Sequence, residues 1–235
     1  MLPGWLLDAV GNGGTRGMVI TCRRVTRDGN RTRLMVCFGQ TSFYRIFLQG
    51  VFLTDQEMWD RAVTLARVEY QALSESVKAQ LQTIGAAMRQ HKREMYSLAG
   101  GSAVVATCAD CGGLCCEKGK YHFSVIDLLM YLSTGKELFT PSFRETPCPF
   151  LGKEGCLMAP AYRPFTCITF HCERLELLFS SADLERICLL ERGLRDLCRQ
   201  MEELFGTRLM QGLLLKYARY RDCGDGAILS GNGSR

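Results

Sequence analysis

Thirteen cysteines occur in this 235-residue chain, and eight of them fall within 65 residues. They form two groups. Cys108, Cys111, Cys115 and Cys116 make the first; Cys148, Cys156, Cys167 and Cys172 make the second, with His171 beside the last and prolines at 147, 149, 160 and 164 between them. Closely spaced thiolates separated by Gly and Pro can bring several sulfurs to one soft metal without a helix or strand intervening. Cys108 and Cys111 have chelating spacing, and Cys115 can join them. Cys116 is the informative residue, because adjacent side chains point differently and seldom complete the same mononuclear tetrahedron. A Cys-Cys pair therefore suggests two sites or one polynuclear cluster. The gaps in the second group are too wide for a self-contained zinc knuckle, so it is expected to fold back and complete what the first group begins.

All-thiolate ligation suits both zinc and iron–sulfur, and ligand softness does not separate them. Zinc would act as a structural staple whose ligation contributes folding energy. An iron–sulfur cluster would act as an electron carrier or redox sensor, tuned by hydrogen bonds to sulfur and by the nearby Arg163, Arg144, Lys118 and Lys120. The adjacent pair and the irregular spacing favour iron–sulfur. Arg163 and His122 are the candidate cofactor-contacting residues, His122 as a hydrogen-bond partner of a cluster sulfur. His171 is a candidate ligand. Cys22, Cys37 and Cys223 lack partners at ligand spacing. A disulfide framework is disfavoured, because the cysteine number is odd and the chain is large enough to stand without staples. The chain contains no Gly-x-Ser-x-Gly elbow, no His-Glu-x-x-His and no Walker loop. Gly11 to Gly17 does not fit a dinucleotide fingerprint, since Arg16 holds the third glycine's place.

These residues need elements to position them. At 47% hydrophobic the chain can bury a substantial core, and it has no run of eighteen apolar residues, so no membrane span is expected. The N-terminal residues do not read as a secretory signal, and a cytoplasmic location is expected. Residues 1–53 hold seven Arg against Asp8 and Asp28, whereas the remaining 182 residues carry 22 charges of each sign. This basic extension lacks interleaved aromatics and any recognition motif, which points away from nucleic acid. Within it, residues 18–25 and 31–38 flank Asp28-Gly29-Asn30 and predict a small β-hairpin.

Thr54-Asp-Gln-Glu57 is a capping box. After it, apolar residues recur in steps of three and four from Trp59 through Leu81 to Met95, with His91 as a packed interruption and Lys among the exposed positions. The spacing predicts one long amphipathic helix over 54–98. Ser180 or Ser181 with Asp183 predicts a second helical arm over 179–223, bent or broken at Gly193, Gly206 or Gly212. Cys188 and Cys198 lie on or beside its apolar stripe and are expected to be buried, inert thiols. Between the arms, Ser124-Val-Ile-Asp127 predicts a short helix stopped near Gly135. Residues 224–235 are Gly/Ser-rich and are expected to be disordered. The fold class is therefore mainly α: a long antiparallel helical hairpin bracketing an irregular cysteine-rich metal-binding domain at 99–178. Its long helices offer a surface for a protein partner or self-association.

Cys108-x-x-Cys111-x-x-x-Cys115-Cys116, the following helix with an acidic residue at its start, Cys148-Pro-Phe-Leu, Gly155-Cys156 and Tyr162-Arg-Pro-x-x-Cys167 together resemble the CxxCxxCC (YkgJ) family of cysteine-cluster proteins. The resemblance spans about residues 105–175. Three residues, Gly112-Gly113-Leu114, separate the second and third cysteines where that family usually has two. It implies a zinc- or iron-chelating domain whose ligands include cysteines of both groups, with an iron–sulfur oxidoreductase as the associated enzyme class. A similar cluster occurs in a flagellin lysine methylase.

Overall fold

A computed structural model of the protein describes residues 6–9, 20–23, 53–100, 110, 119–143, 148–152, 155–177, 179–223 and 227–229. The chain divides into two compact units, residues 1–52 and 53–235. In the first, β1 (Leu6–Ala9) pairs antiparallel with β2 (Ile20–Arg23), Leu6 opposite Arg23 and Ala9 opposite Ile20. A strand thus forms within the expected 18–25 stretch, and among the described residues it pairs with an upstream strand. The expected turn at Asp28-Gly29-Asn30 and residues 31–38 lie outside the described residues.

The second unit is mainly helical. The stripe that predicts one helix over 54–98 forms two, α1 (Asp55–Gln71) and α2 (Glu75–Leu98). The N-terminus of α1 is as expected: Thr54 accepts from the Glu57 backbone N–H, and the Glu57 carboxylate takes the Thr54 N–H at 2.8 Å. The break has a local cause. Ser74 turns extended and its hydroxyl accepts the Val77 N–H, while Lys78 reaches back to the exposed Gln71 carbonyl at 3.2 Å and to Glu75 at 2.8 Å. A serine cap with an acid in the first turn offers the backbone a competing arrangement to continued helix.

The break lets the two helices serve different neighbours. α3 (Val125–Thr134) is capped by Ser124 and Asp127 and stopped by Gly135 at φ +64°, as expected. Eight of its ten residues are buried. It packs on both α1 and α2. α4 (Phe165–Thr169) and α5 (Glu173–Glu176) are short. α6 (Ser181–Phe205) has Ser180 as its N-cap, boxed with Asp183, and ends at Gly206 with φ +62°. Of the three glycines that could interrupt the arm, only Gly206 ends this helix; α7 (Leu213–Cys223) starts after Gly212. α6 lies along α2. Arg186 donates to Glu94 at 2.6 Å, and a turn earlier on α2 the His91 ring faces Gly193, two turns later on α6. The two helices therefore run antiparallel.

One core joins Trp59, Leu81, Met88, Met95, Phe123, Leu129, Phe150, Leu194 and Met201. Each fully buried side chain of this kind contributes about 1.5–3 kcal/mol relative to exposure. Three expectations are corrected here. Cys188 is exposed, because the buried line of α6 runs through Ile187, Leu190, Leu194, Cys198 and Met201. Within 224–235, Ile228 and Leu229 are buried in the core, their backbone N–H groups held by Glu69 at 3.0 and 2.7 Å. Lys92, placed by its charge among the exposed residues, is 0% exposed. It falls on the Met88–Met95 line of α2 and donates to Asp127 at 3.1 Å, with Met130 Sδ at 3.6 Å.

Breaking one half of a buried ion pair strands the other charge. Lys92→Met is expected to lower the unfolding free energy by about 3–5 kcal/mol in urea denaturation. An unchanged midpoint would mean that the pair is not held as the structure shows.

Candidate metal centre

Residues 119–123 lead into α3 and are fixed from several sides. Gly119–Tyr121 forms a single 3-10 turn, closed by the His122 N–H on the Gly119 carbonyl at 2.9 Å. Lys120 pairs with Asp55 of α1 at 2.6 Å, both partly exposed. Phe123, fully buried, packs against Trp59, Phe139 and Phe150 with ring centroids 4.9 to 5.7 Å apart. Behind this turn Ser124 bridges Gly212, and the Leu213 N–H donates to the Phe123 carbonyl at 2.8 Å. The backbone of Gly212 passes so close to Tyr121 that a Cβ there would stand 2.3 Å from its carbonyl oxygen.

Two sulfurs of the second cysteine group arrive at this segment. Cys148 is buried, and a Cβ on Gly119 would stand 2.6 Å from its Sγ, so the sulfur lies directly on the glycine backbone. What carries it there is the chain around it. Phe150 inserts into the Trp59–Phe123 ring cluster, the Ser142 N–H takes the Pro149 carbonyl at 2.8 Å, and the Leu151 N–H closes on Cys148 at 3.1 Å. Cys167 comes from the other side on α4, a five-residue helix that Pro164 opens and that packs on α2. Its Sγ lies 3.5 Å from His122 Nδ1. Burial pushes the His122 pKa below its ordinary value, which favours the neutral imidazole, with one nitrogen available to donate or accept.

The other sequence-identified residues among those described have other neighbours. Cys156 ends the small antiparallel pair β3 (Leu151–Gly152) and β4 (Gly155–Cys156), opposite Leu151. With Asp127, it adds to the burial that drives the Tyr131 hydroxyl pKa up. Arg163 lays its guanidinium over the Tyr96 ring at 4.9 Å, with Nε 3.5 Å from the Met158 carbonyl. Cys172 caps α5 and packs with Ala99, Leu175, Tyr96 and Phe179. His171 meets Phe179 edge-on at 4.9 Å, its pKa lowered by burial against the opposing pull of Glu176 and Glu191.

Among the described residues, no three His, Cys, Asp or Glu side chains form a metal-binding group. Cys108, Cys111, Cys115 and Cys116 lie outside the described residues, as do Lys118 and Arg144. Sequence reasoning missed two positioning features. One is Gly119, whose lack of a side chain admits the Cys148 sulfur. The other is the Lys92–Asp127 pair behind α3. The second had a signal: a lysine on the apolar line of one helix and a lone carboxylate in an otherwise apolar helix.

Cys198 is 2% exposed, and burial pushes its pKa up to about 12. In the native protein, iodoacetamide with site-resolved mass spectrometry is therefore expected to label Cys188 and to spare Cys198 until the chain unfolds. Rapid native labelling of Cys198 would contradict this packing. Compared with known family models, curated proteins and solved structures, this chain returned no match in any of the three.

Proposed function

We propose that this chain is a metal-binding protein in which cysteines of both groups hold one inorganic centre, an iron–sulfur cluster with a redox or electron-transfer role. The observation that carries this reading is the arrival of Cys148 Sγ and Cys167 Sγ, nineteen residues apart in sequence, at Gly119 and His122. Cys115 and Cys116 precede Gly119 by four and three residues. An extended chain covers at most about 3.6 Å per residue, so connectivity keeps both within reach of the segment that the Cys148 and Cys167 sulfurs approach.

The donor set fits such a group. Thiolates predominate, and Cys148 is withdrawn from water, a setting in which solvent exposure tunes the potential. When bound, an iron–sulfur cluster supplies one-electron redox chemistry. The protein's own residues do the rest. Cys108, Cys111, Cys115, Cys116, Cys148 and Cys167 would hold it, and His122 would hydrogen-bond the Cys167 sulfur. Cys156 and Cys172 belong to the proposed ligand set through the resemblance to CxxCxxCC proteins, and His171 through its place beside Cys172. Arg163, held over Tyr96, would contribute positive charge at longer range. On this reading the chain is an iron–sulfur oxidoreductase or an electron carrier for one.

A second reading is a zinc-stabilised interaction module without turnover. Its specific support is His122 itself: a neutral imidazole nitrogen 3.5 Å from a cysteine sulfur matches the mixed nitrogen–sulfur ligation zinc accepts. In that case the outward-facing Leu177, Leu184 and Leu189 would offer apolar contacts to a protein partner or a second copy.

Anaerobic purification with elemental analysis separates the two. A brown protein containing iron and acid-labile sulfide is expected on the first reading, and a colourless one with stoichiometric zinc supports the second. A metal-free protein would overturn both. Cys115→Ser and Cys167→Ser are each expected to lower bound metal, whereas Cys188→Ala leaves it unchanged. Equal metal in all three variants would refute the ligand assignment.

A further inference from the structure

Arg89 of α2 is partly buried and folds back along its own helix, so that a Cβ on Gly85, one turn earlier, would stand 3.3 Å from its Nη1. Its guanidinium carbon lies 5.9 Å from the centre of the Tyr162 ring, and the Lys136 ammonium lies 5.5 Å from the same centre. Tyr162 ends the 3-10 turn Pro160–Tyr162, and its hydroxyl donates to Thr134 Oγ1 at 3.3 Å. One ring thus gathers a cation from α2 and another from the segment that follows α3. Among the described residues neither cation has an ion pair, and Arg89 Nη1 is buried without a hydrogen-bond partner. Glu137, the acid next to Lys136 in sequence, makes no ion pair among them either.

The cations do not serve as caps for α3. At its end the Tyr131 carbonyl takes the Thr134 hydroxyl at 3.1 Å, Leu132 the Gly135 N–H at 3.3 Å and Ser133 the Gln82 side-chain amide at 3.3 Å. The tyrosine face attracts both charges, but it does not replace the oxygen acceptors that a guanidinium's five N–H groups can take, and a buried donor without an acceptor is costly. Two like charges held at one ring are complementary to an anion, and the negative end of the α3 dipole, about half a charge, is outweighed by them. We propose that Arg89 and Lys136, set around Tyr162, form a binding site for a phosphate monoester. Its charge of about −1.5 to −2 at neutral pH matches two cations where a carboxylate would match one. The arginine fork takes two phosphate oxygens and the lysine supplies a point charge. A phosphorylated small molecule and a phosphorylated side chain share this chemistry. The site uses none of the residues of the proposed metal centre and stands or falls independently of it.

Calorimetric titration of the full-length chain at low ionic strength tests the site, with inorganic phosphate and the peptide Gly-phosphoserine-Gly as probes and acetate as the singly charged control. Wild type is expected to bind one phosphate group per chain and to bind it more tightly than acetate. Arg89→Gln and Lys136→Gln are each expected to weaken phosphate binding about tenfold or more. Arg93→Gln, which removes a guanidinium that already bonds Gln90 at 2.9 Å on the same helix, is expected to leave it unchanged. Lys136 is exposed, so its replacement reads the site even where Arg89→Gln disturbs packing. Tighter binding of the peptide than of inorganic phosphate assigns the site to a phosphorylated side chain, and equal binding assigns it to the free group. Absence of binding by wild type, acetate bound as tightly as phosphate, or one affinity shared by wild type, Lys136→Gln and Arg93→Gln would each overturn the proposal. The last result would also place bound phosphate elsewhere on the chain.

Discussion

The ion pair between Lys92 and Asp127 is the constraint around which the helical unit is arranged. Removing both charges from water costs several kcal/mol per ion, and attraction repays this only where the remaining hydrogen-bonding groups are also satisfied. They are satisfied here. One oxygen of Asp127 takes the Lys92 ammonium, and the other takes the Ser124 N–H at 2.9 Å and its hydroxyl at 2.6 Å. The same carboxylate thus caps α3 and binds α2. Sliding α2 by one turn would leave both charges buried and unpartnered, so the pair sets the register of the two helices more than it adds to stability.

That register is passed on to the cysteines. Ser124, held by Asp127, is bridged to Gly212, and just before it Phe123 is locked among Trp59, Phe139 and Phe150. His122 is therefore aimed from a segment that cannot rotate. Phe150 sits in the same ring cluster two residues after Cys148, so that sulfur and the imidazole are both positioned by one packed core. Short irregular segments clamped to helices in this way are held in place without regular structure of their own.

A second device recurs wherever a loop meets a helix. Glu57, Asp127 and Asp183 close the first turns of α1, α3 and α6. Glu202 takes the Leu209 and Met210 N–H groups at 2.7 and 3.0 Å, and Glu69 takes those of Ile228 and Leu229. Each carboxylate satisfies donors that would otherwise be stranded at a chain end or turn, a charge-assisted bond about twice as strong as a neutral one. In the first three cases the acceptor is three residues from its donor; in the last two it comes from elsewhere.

That distinction separates what was legible in the sequence from what was not. The caps at Thr54 and Ser124, the cap at Ser180 or Ser181 and the stop at Gly135 could be read directly, because the residues that make a cap lie close together in the chain, whereas Gly206 was one of three glycines at which the last arm could bend or break. The buried stripe of α2, the helical character of the second unit and the two cysteine groups were visible for the same reason of short-range spacing. The break after Gln71 was not, since a restart capped locally at Ser74 shares one apolar periodicity with a continued helix, and the different neighbours of α1 and α2 add to what favours the restart. Nor was the burial of Lys92, whose partner lies 35 residues away. Ile228 and Leu229, 159 and 160 residues from Glu69, read as part of a flexible tail. The approach of Cys148 to Gly119 and of Cys167 to His122 likewise required the tertiary fold, because burial and long-range contact depend on which surfaces meet, and no local pattern of residues encodes that.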